Sequence, residues 1–466
     1  MTDLRSIAID YAHQHRDRFL ADLVQLLRIP SVSTHAHNLG DMLAAAETLR
    51  GRLTGLGFEQ VQIFPTAGHP VVFGEYNRAA AGAPTVLIYG HYDVQPAEPL
   101  GPWNSDPFEP VNRDQRLYAR GASDMKGQVI ATFSAVEAIL QAGQAPVKIK
   151  FLLEGEEEIG SPNLPAFIEN HRQLLACDIA LNPDAGMISA DDPTIVYALR
   201  GLAYFELRVF GPSHDLHSGM FGGVVHNPAQ VLCDLIAGMH DANGRITLPG
   251  YYDKVRALDE KERKELARLP IDDEYYLSRT GAPALWGESG YSPVERIGAR
   301  PTLEINGMLS GFTGPGSKTV LPAWAMAKIS MRLVPDQDPA DVHRQLEQYL
   351  REHAPQSVRW ELDQMAGGPA SIIEQDNRYV QALVKAFETT WKKKPVYKRE
   401  GGSIPVVADM KKILGVESVL TGFGLPDDQI HGPNEKLELV TWYTGIDALI
   451  HFFYNIPETG SGFIKD

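Results

Sequence analysis

The sequence predicts an α/β fold: a mostly parallel sheet flanked by helices and interrupted by an inserted α+β module. Three observations predict it. Up to about residue 199, short apolar runs rich in β-branched residues alternate with segments of helical period, the pattern of strand–helix–strand units. From 200 to 365 the order becomes strand–helix–strand–strand–helix–strand with short links. From 366 the first pattern returns. A chain of 466 residues also exceeds what one hydrophobic core usually holds. The expected division is therefore one domain built from 1–199 and 366–466, with a second at 200–365.

The elements follow in order. Apolar residues at helical spacing (Ile7, Tyr11, Phe19, Leu23, Leu26, Leu27) predict a helix over 4–27, and a second runs over 41–56. Strand-like runs occupy 61–64, 71–76 and 85–89. A helix at 126–141 precedes an apolar strand at 147–153, and a strand at 178–181 leads into Asn182-Pro183-Asp184. In the inserted part, 204–210 alternates as a strand and 228–239 has helical period. Residues 250–300 read as irregular, with charged stretches and Pro/Gly punctuation. Strands at 301–305 and 325–333, a helix at 340–352 and a strand at 358–362 complete the insertion. Gly367-Gly368-Pro369 reads as a linker, followed by a helix at 377–391, a strand at 418–421 and a closing helix to about Tyr454.

Composition bounds the function. Hydrophobic residues make up 44% and charged residues 22%, values of a globular chain. The formal net charge of −16 argues against a nucleic-acid partner or an anionic membrane surface, because phosphates need basic patches. It suits either an ordinary soluble surface or acidic residues gathered around cations. The two cysteines, Cys177 and Cys233, form no C-x-x-C pair, so no thiolate zinc site or disulfide framework is visible. The first 27 residues lack the unbroken apolar core of a signal peptide, and no segment is apolar enough to span a bilayer. The expected location is the cytoplasm.

Five short motifs place acids or histidines at predicted strand ends and loop starts, where ligands of parallel sheets gather. His91-Tyr92-Asp93 follows the strand at 85–89 and offers an imidazole with a carboxylate to orient it. Asp124 lies in Gly-Ala-Ser-Asp-Met-Lys-Gly at 121–127, ahead of a helix, where it could equally be an N-cap. Glu154, Glu156, Glu157 and Glu158 crowd the end of the strand at 147–153. Four carboxylates there either splay into solvent or are held by a cation. Adjacent Glu157 and Glu158 suit a split role, one binding metal and the other moving a proton. Asp184 and His431 complete the set, each able to serve as a plain turn residue if taken alone. Together they form an oxygen and nitrogen donor set suited to zinc, manganese or cobalt. A stretch at 311–319 approaches a phosphate-binding loop, but Ser317 between Gly316 and Lys318 breaks the Gly-Lys-Ser/Thr register.

In sequence order, over almost the whole chain, these motifs resemble the co-catalytic two-metal metallopeptidases. That family includes carnosinase-type cytosolic dipeptidases, glutamate carboxypeptidase, aminoacylase and succinyl-diaminopimelate desuccinylase. Asp215-Leu216-His217-Ser218-Gly219, Ser317 to Val320, Met331 to Pro335 and Arg399 to Pro405 are most similar to the dipeptidase branch. The resemblance implies a zinc-peptidase type fold, with 1–199 and 366–466 as the catalytic domain and 200–365 as a lid and dimerisation domain. It implies two divalent ions per subunit, zinc first and manganese or cobalt as alternatives. Asp124 would bridge them, His91 and Asp184 would complete one site, and Glu158 and His431 the other. Glu157 would be general base and then acid, with Asp93 orienting His91. The peptide after Asp124 would be cis. His217 would complete the site of a partner subunit in a homodimer and stabilise the oxyanion. Thr319, Arg332 and Ser403 would bind a small peptide substrate by its carboxylate and backbone. The implied reaction is amide hydrolysis in dipeptides with a free C-terminal carboxylate. Two alternatives stay open: an N-acyl or N-carbamoyl amino acid amidohydrolase with the same metal site, and a non-catalytic metal-stabilised scaffold. The scaffold would need a missing ligand or base, and none is missing from the sequence.

Overall fold

The structure, a computed structural model, describes residues 3–459. The chain divides into two compact units. The first contains the described residues up to Tyr197, then Ile373–Tyr397 and the chain from Pro405 onward. The second contains Ala198–Ile372 and Lys398–Ile404. Ser403, inside the range 366–466 expected to join the first domain, thus lies in the second unit. Its hydroxyl donates to the carbonyl of Arg200 and accepts from Arg332, which ties that short segment there.

The first unit is built on a sheet with Glu59–Phe64, Val71–Tyr76, Lys148–Glu154, Thr85–His91, Ile179–Asn182, Ser418–Leu420 and Thr194–Leu199 in that spatial order. The four strands from Lys148–Glu154 to Ser418–Leu420 are parallel. Their sequences explain this placement. Val86, Leu87, Ile88 and Tyr89 are buried in succession, as are Ile149, Phe151, Leu152 and Leu153. A strand covered on both faces reads as a continuous apolar run rather than an alternation. The helix Lys126–Ala142 is buried at every position from Lys126 to Ile139. It lies among Leu4–Gln14, Arg16–Leu27 and Leu439–Thr459, so it carries no polar stripe. Phe133 on this helix stacks on Phe151 of the sheet, with ring centroids 4.5 Å apart. Buried Trp442 donates its indole N–H to the carbonyl of Gly127 at 2.8 Å. These contacts fix the start of the helix, and with it the loop that precedes it.

The second unit is an antiparallel sheet in the order Thr302–Ser310, Trp324–Leu333, Gly201–Phe210, Arg359–Gly368. Alternate residues (Ala203, Phe205, Leu207 and Val209 on one strand, Ala325, Ala327, Ile329 and Met331 on the next) form its core. The helices Pro228–Gly238 and Pro339–His353 pack on these strands and bury Val231, Leu232, Leu235, Val342, Leu346 and Leu350. The period-two pattern leaves the intervening positions, Arg332 and Ser330 among them, on the opposite face.

The α/β fold with a mostly parallel sheet matches the sequence reading, and four local expectations are corrected. The helix over 4–27 is two helices, Leu4–Gln14 and Arg16–Leu27; His15 leaves helical geometry and its N–H closes the first helix on Tyr11 and Ala12. Thr194–Leu199 and Val396–Glu400 are strands that the sequence did not signal. Thr194–Leu199 is buried at every residue, so it has no alternation to detect. The segment read as irregular at 250–300 contains Glu260–Leu266, Asp273–Thr280 and Pro293–Ala299, capped by Asp259, Asp272 and Ser292. Gly367 and Gly368 are not linker: they end the strand Arg359–Gly368, paired with Ala203 and Leu202. No helix among the described residues is long and apolar enough to cross a membrane.

Because Phe133 joins the buried helix to the sheet, Phe133→Ala is expected to destabilise the protein by roughly 3–5 kcal/mol. Chemical denaturation would show this as a lower midpoint; an unchanged midpoint would mean the stacked pair contributes nothing.

Candidate metal centre

The parallel strands of the first unit end on the residues that build the site. His91 closes the strand Thr85–His91 and is buried. Its Nδ1 lies 3.0 Å from the Asp93 carbonyl and 3.4 Å from Asp93 Oδ1. That arrangement turns Nε2 toward Asp124 Oδ1 at 3.2 Å and Asp184 Oδ1 at 3.9 Å. Asp93 is fully buried and does a second job: its carboxylate accepts the N–H groups of Glu157 at 3.2 Å and Glu158 at 3.0 Å. One side chain thus sets both the imidazole and the acidic pair.

Asp124 stands at the end of a loop whose backbone closes on a single carboxylate. Glu435 is fully buried and accepts from Gly121 N–H at 2.9 Å, Ser123 N–H at 2.9 Å, Asp124 N–H at 3.0 Å and the Arg120 guanidinium at 2.8 Å. Gly121 has φ of +81°, and a Cβ there would come within 2.6 Å of Val94, so the turn requires glycine. The Ser123 hydroxyl donates to Asp428 at 2.7 Å, and Asp428 takes Lys436 at 2.8 Å. The peptide Asp124–Met125 is cis, as the resemblance implied.

The acidic run divides by partner. Glu154 accepts from Tyr89 at 2.7 Å and Ser161 at 2.9 Å, and burial pushes its carboxyl up to about 8. Glu156 accepts from His69 N–H at 2.9 Å and from Asn163 at 3.0 Å. Both anchor the loop. Glu157 and Glu158 open the short helix Glu157–Ile159. Glu158 accepts from Gln95 at 2.8 Å and lies 3.3 Å from His431 Nε2. His431 Nε2 is also 2.9 Å from Asp124 Oδ2. Asp184 follows the strand Ile179–Asn182, its N–H held by the Asn182 side chain at 2.9 Å.

The electrostatics express crowding. Burial raises Asp184 well above the usual carboxylate range. Burial raises Glu157 to about 7, with Glu158 and Asp124 adding to the rise against the opposing pull of His91. Hydrogen bonds from His431 and His91 hold Asp124 below its ordinary value, although burial acts the other way. The Asp124 and Glu158 carboxylates raise His431 to about 10. The acids that raise both imidazoles would be relieved by a divalent cation.

The ligand atoms form two groups, His91–Asp124–Asp184 and Asp124–Glu158–His431, each with all atoms within 4.8 Å of one another. Asp124 belongs to both, and Glu157 to neither. The donors are carboxylate oxygens and imidazole nitrogens, so the set fits two divalent ions sharing one carboxylate.

Sequence reasoning did not assign Glu435, Gln95, Arg120 or Asp428. Glu435 and Asp428 flank His431, but spacing gives no sign of which acid in that loop is buried. The residues of the second unit fall into two pairs. His217 ends the strand Leu216–His217, opposite Val320, and Thr319 accepts the Ser218 N–H at 3.0 Å. His217 Nδ1 accepts the Gly219 N–H at 3.0 Å, so the neutral ring carries its proton on Nε2 as a donor. Arg332 donates to Ser403 at 3.1 Å.

The Glu435 carboxylate is expected to act through the loop it holds. Glu435→Gln should weaken metal binding by roughly 10–100-fold, measured by competition with a chromophoric chelator. Unchanged affinity would reduce Glu435 to a general folding contact.

The sequence profile of peptidase family M20/M25/M40 matches residues 87–455. The chain is 30% identical to the Cys-Gly metallodipeptidase of Candida albicans, covering 95% of this chain and 96% of that one. It is 31% identical to the human Beta-Ala-His dipeptidase, covering 96% and 92%. Among solved structures, it is similar to an M20 family metallo-carboxypeptidase from Sulfolobus solfataricus, with a TM-score of 0.81 and 32% identity over 94% of this chain and 99% of that one. Human carnosine dipeptidase 1 aligns with a TM-score of 0.78 and 29% identity over 98% and 99%.

Proposed function

The chain belongs to peptidase family M20/M25/M40, and on that premise we propose that it is a dipeptidase that hydrolyses the amide bond of short peptides with a free C-terminal carboxylate. The observation that carries this reading is the Asp124 carboxylate shared between two ligand groups, with Glu157 outside both. Two divalent ions, zinc by first choice and manganese or cobalt otherwise, would supply positive charge that polarises the scissile carbonyl and acidifies water. His91, Asp184 and Asp124 would hold one; Glu158, His431 and Asp124 the other.

The chain's own groups do the rest. Glu157 takes the proton from the attacking water and returns it to the leaving nitrogen. Its backbone N–H is held by Asp93, which fixes where the Glu157 side chain starts. Asp93 also fixes the His91 ring. Arg332 and Ser403 hold the substrate's terminal carboxylate, and Thr319 its polar backbone. Nε2 of His217 of the partner subunit donates to the oxyanion. Support for a homodimer comes from the exposed apolar residues beside His217: Met220 is 73% exposed and Val224 82%.

The substrate class is tested by a panel. Chelator-stripped protein would be incubated with dipeptides, N-acetyl amino acids and N-carbamoyl amino acids, each with zinc, manganese or cobalt. Metal-dependent release of free amine from the dipeptides is expected. Cleavage of the acylated amino acids alone would move the enzyme to the amidohydrolase reading.

Roles are tested by two variants. Glu157→Gln should keep two ions and lose nearly all turnover, and His217→Ala should keep its ions and slow catalysis. Mixing the two should restore activity, since a hybrid dimer then has one site with both groups. No recovery would place His217 in the site of its own subunit or outside catalysis.

A further inference from the structure

The second unit holds a cavity of about 350 Å³ against the start of its edge strand Thr302–Ser310. Four arginines line it, Arg200, Arg296, Arg300 and Arg332, against two glutamates, Glu288 and Glu304. The excess is positive in a chain whose formal net charge is −16.

The charges are not all in use. Glu288 is committed to Arg300, at 2.7 and 2.8 Å, and to Arg245 at 3.1 Å. Arg296 donates to the backbone carbonyls of Glu288 and Trp286. Arg200 and Arg332 make no ion pair with a carboxylate among the described residues; their hydrogen bonds go to Gly401 O at 3.0 Å and Ser403 Oγ at 3.1 Å. Arg200 is only 9% exposed, and its Nη1 is buried with no hydrogen-bond partner. Burial, and then the like charge of Arg332, lower the guanidinium to about 10, against the weaker opposing pull of Glu400 and Glu304. A buried charge with an orphaned N–H is costly until an anion meets it. Ser403 accepts from Arg332 and donates to the Arg200 carbonyl, so both arginines are tied to one segment. Ile246 and Trp286 give the cavity an apolar wall.

We propose that this cavity is a carboxylate subsite in which Arg200 takes the acidic side chain of a substrate's C-terminal residue, beside the terminal carboxylate on Arg332. The protein then favours dipeptides ending in Asp or Glu over those ending in Asn or Gln. This rests on the reading of Arg332 given above. The methylenes of the side chain lie on the apolar wall, and its carboxylate meets the Arg200 guanidinium.

The test compares Ala-Glu with Ala-Gln as substrates of the metal-loaded enzyme. The kcat/KM ratio is expected to favour Ala-Glu by on the order of tenfold or more, carried in KM. Arg200→Met should bring the ratio near one. Ser330→Asp, which puts a carboxylate into the cavity lining, should bring it below one, an inversion that a merely weakened fold cannot produce. A wild-type ratio near one, or a ratio that survives both substitutions, overturns the proposal. If neither dipeptide is cleaved, the dipeptidase reading fails, and calorimetric binding of glutamate against glutamine decides the subsite. Tighter glutamate binding lost in both variants sustains it; equal binding overturns it.

Discussion

Mutual repulsion among acids around Asp124 is the constraint on which the first unit is organised. Asp124 lies in both ligand groups, with Asp184 in one and Glu158 in the other, and Glu157 adjoins them in sequence. Like charges at such separations cannot all ionise unless positive charge joins them. Two imidazoles answer part of this, and divalent ions would answer the rest. The ends of the parallel strands Thr85–His91, Lys148–Glu154 and Ile179–Asn182, with the loop before the helix Lys126–Ala142, bring the acids together.

Holding them still requires a second set of acids that never face the ions. Asp93, Glu154, Glu156, Asp428 and Glu435 are all buried, and each accepts hydrogen bonds from backbone N–H groups, hydroxyls or cations. A buried carboxylate is tolerated when its lone pairs are met and expensive otherwise. Glu435 meets four donors around one loop. Asp93 couples the His91 ring to the Glu157–Glu158 backbone. The supporting layer therefore uses buried hydrogen bonds to hold the candidate ligands and the Glu157–Glu158 backbone in place, as a site with fixed geometry requires.

The second unit works by the opposite charge. Its helix-covered face is apolar, and its other face presents Arg332. Arg332, Ser403 and Arg200 form a chain of hydrogen bonds that gathers two guanidinium groups, with Glu304 and Glu400 near Arg200 but no carboxylate in an ion pair with either arginine among the described residues. The first unit concentrates acids that suit cations, and under the proposed reading the arginines of the second would take an acid.

The sequence alone determined the α/β class, the inserted sheet-and-helix module and the ligand candidates. Buried parallel strands must be continuously apolar, and ligands cluster just beyond their ends, so His91, Glu158 and Asp184 stand at detectable places in the pattern, while Asp124 stands between glycines ahead of a helix. Adjacency suggested a split role for Glu157 and Glu158, and resemblance to known motifs said which acid binds metal and which moves the proton. Tertiary structure decided the rest. Which acids are buried supports, as Glu435 and Asp428 are, depends on donors more than 300 residues away in sequence. The strand Thr194–Leu199 has no periodicity because it has no exposed face. The unpartnered Nη1 of Arg200 is a fact of packing. Periodicity records whether a side chain faces water, and it carries no information on which distant partner that side chain meets.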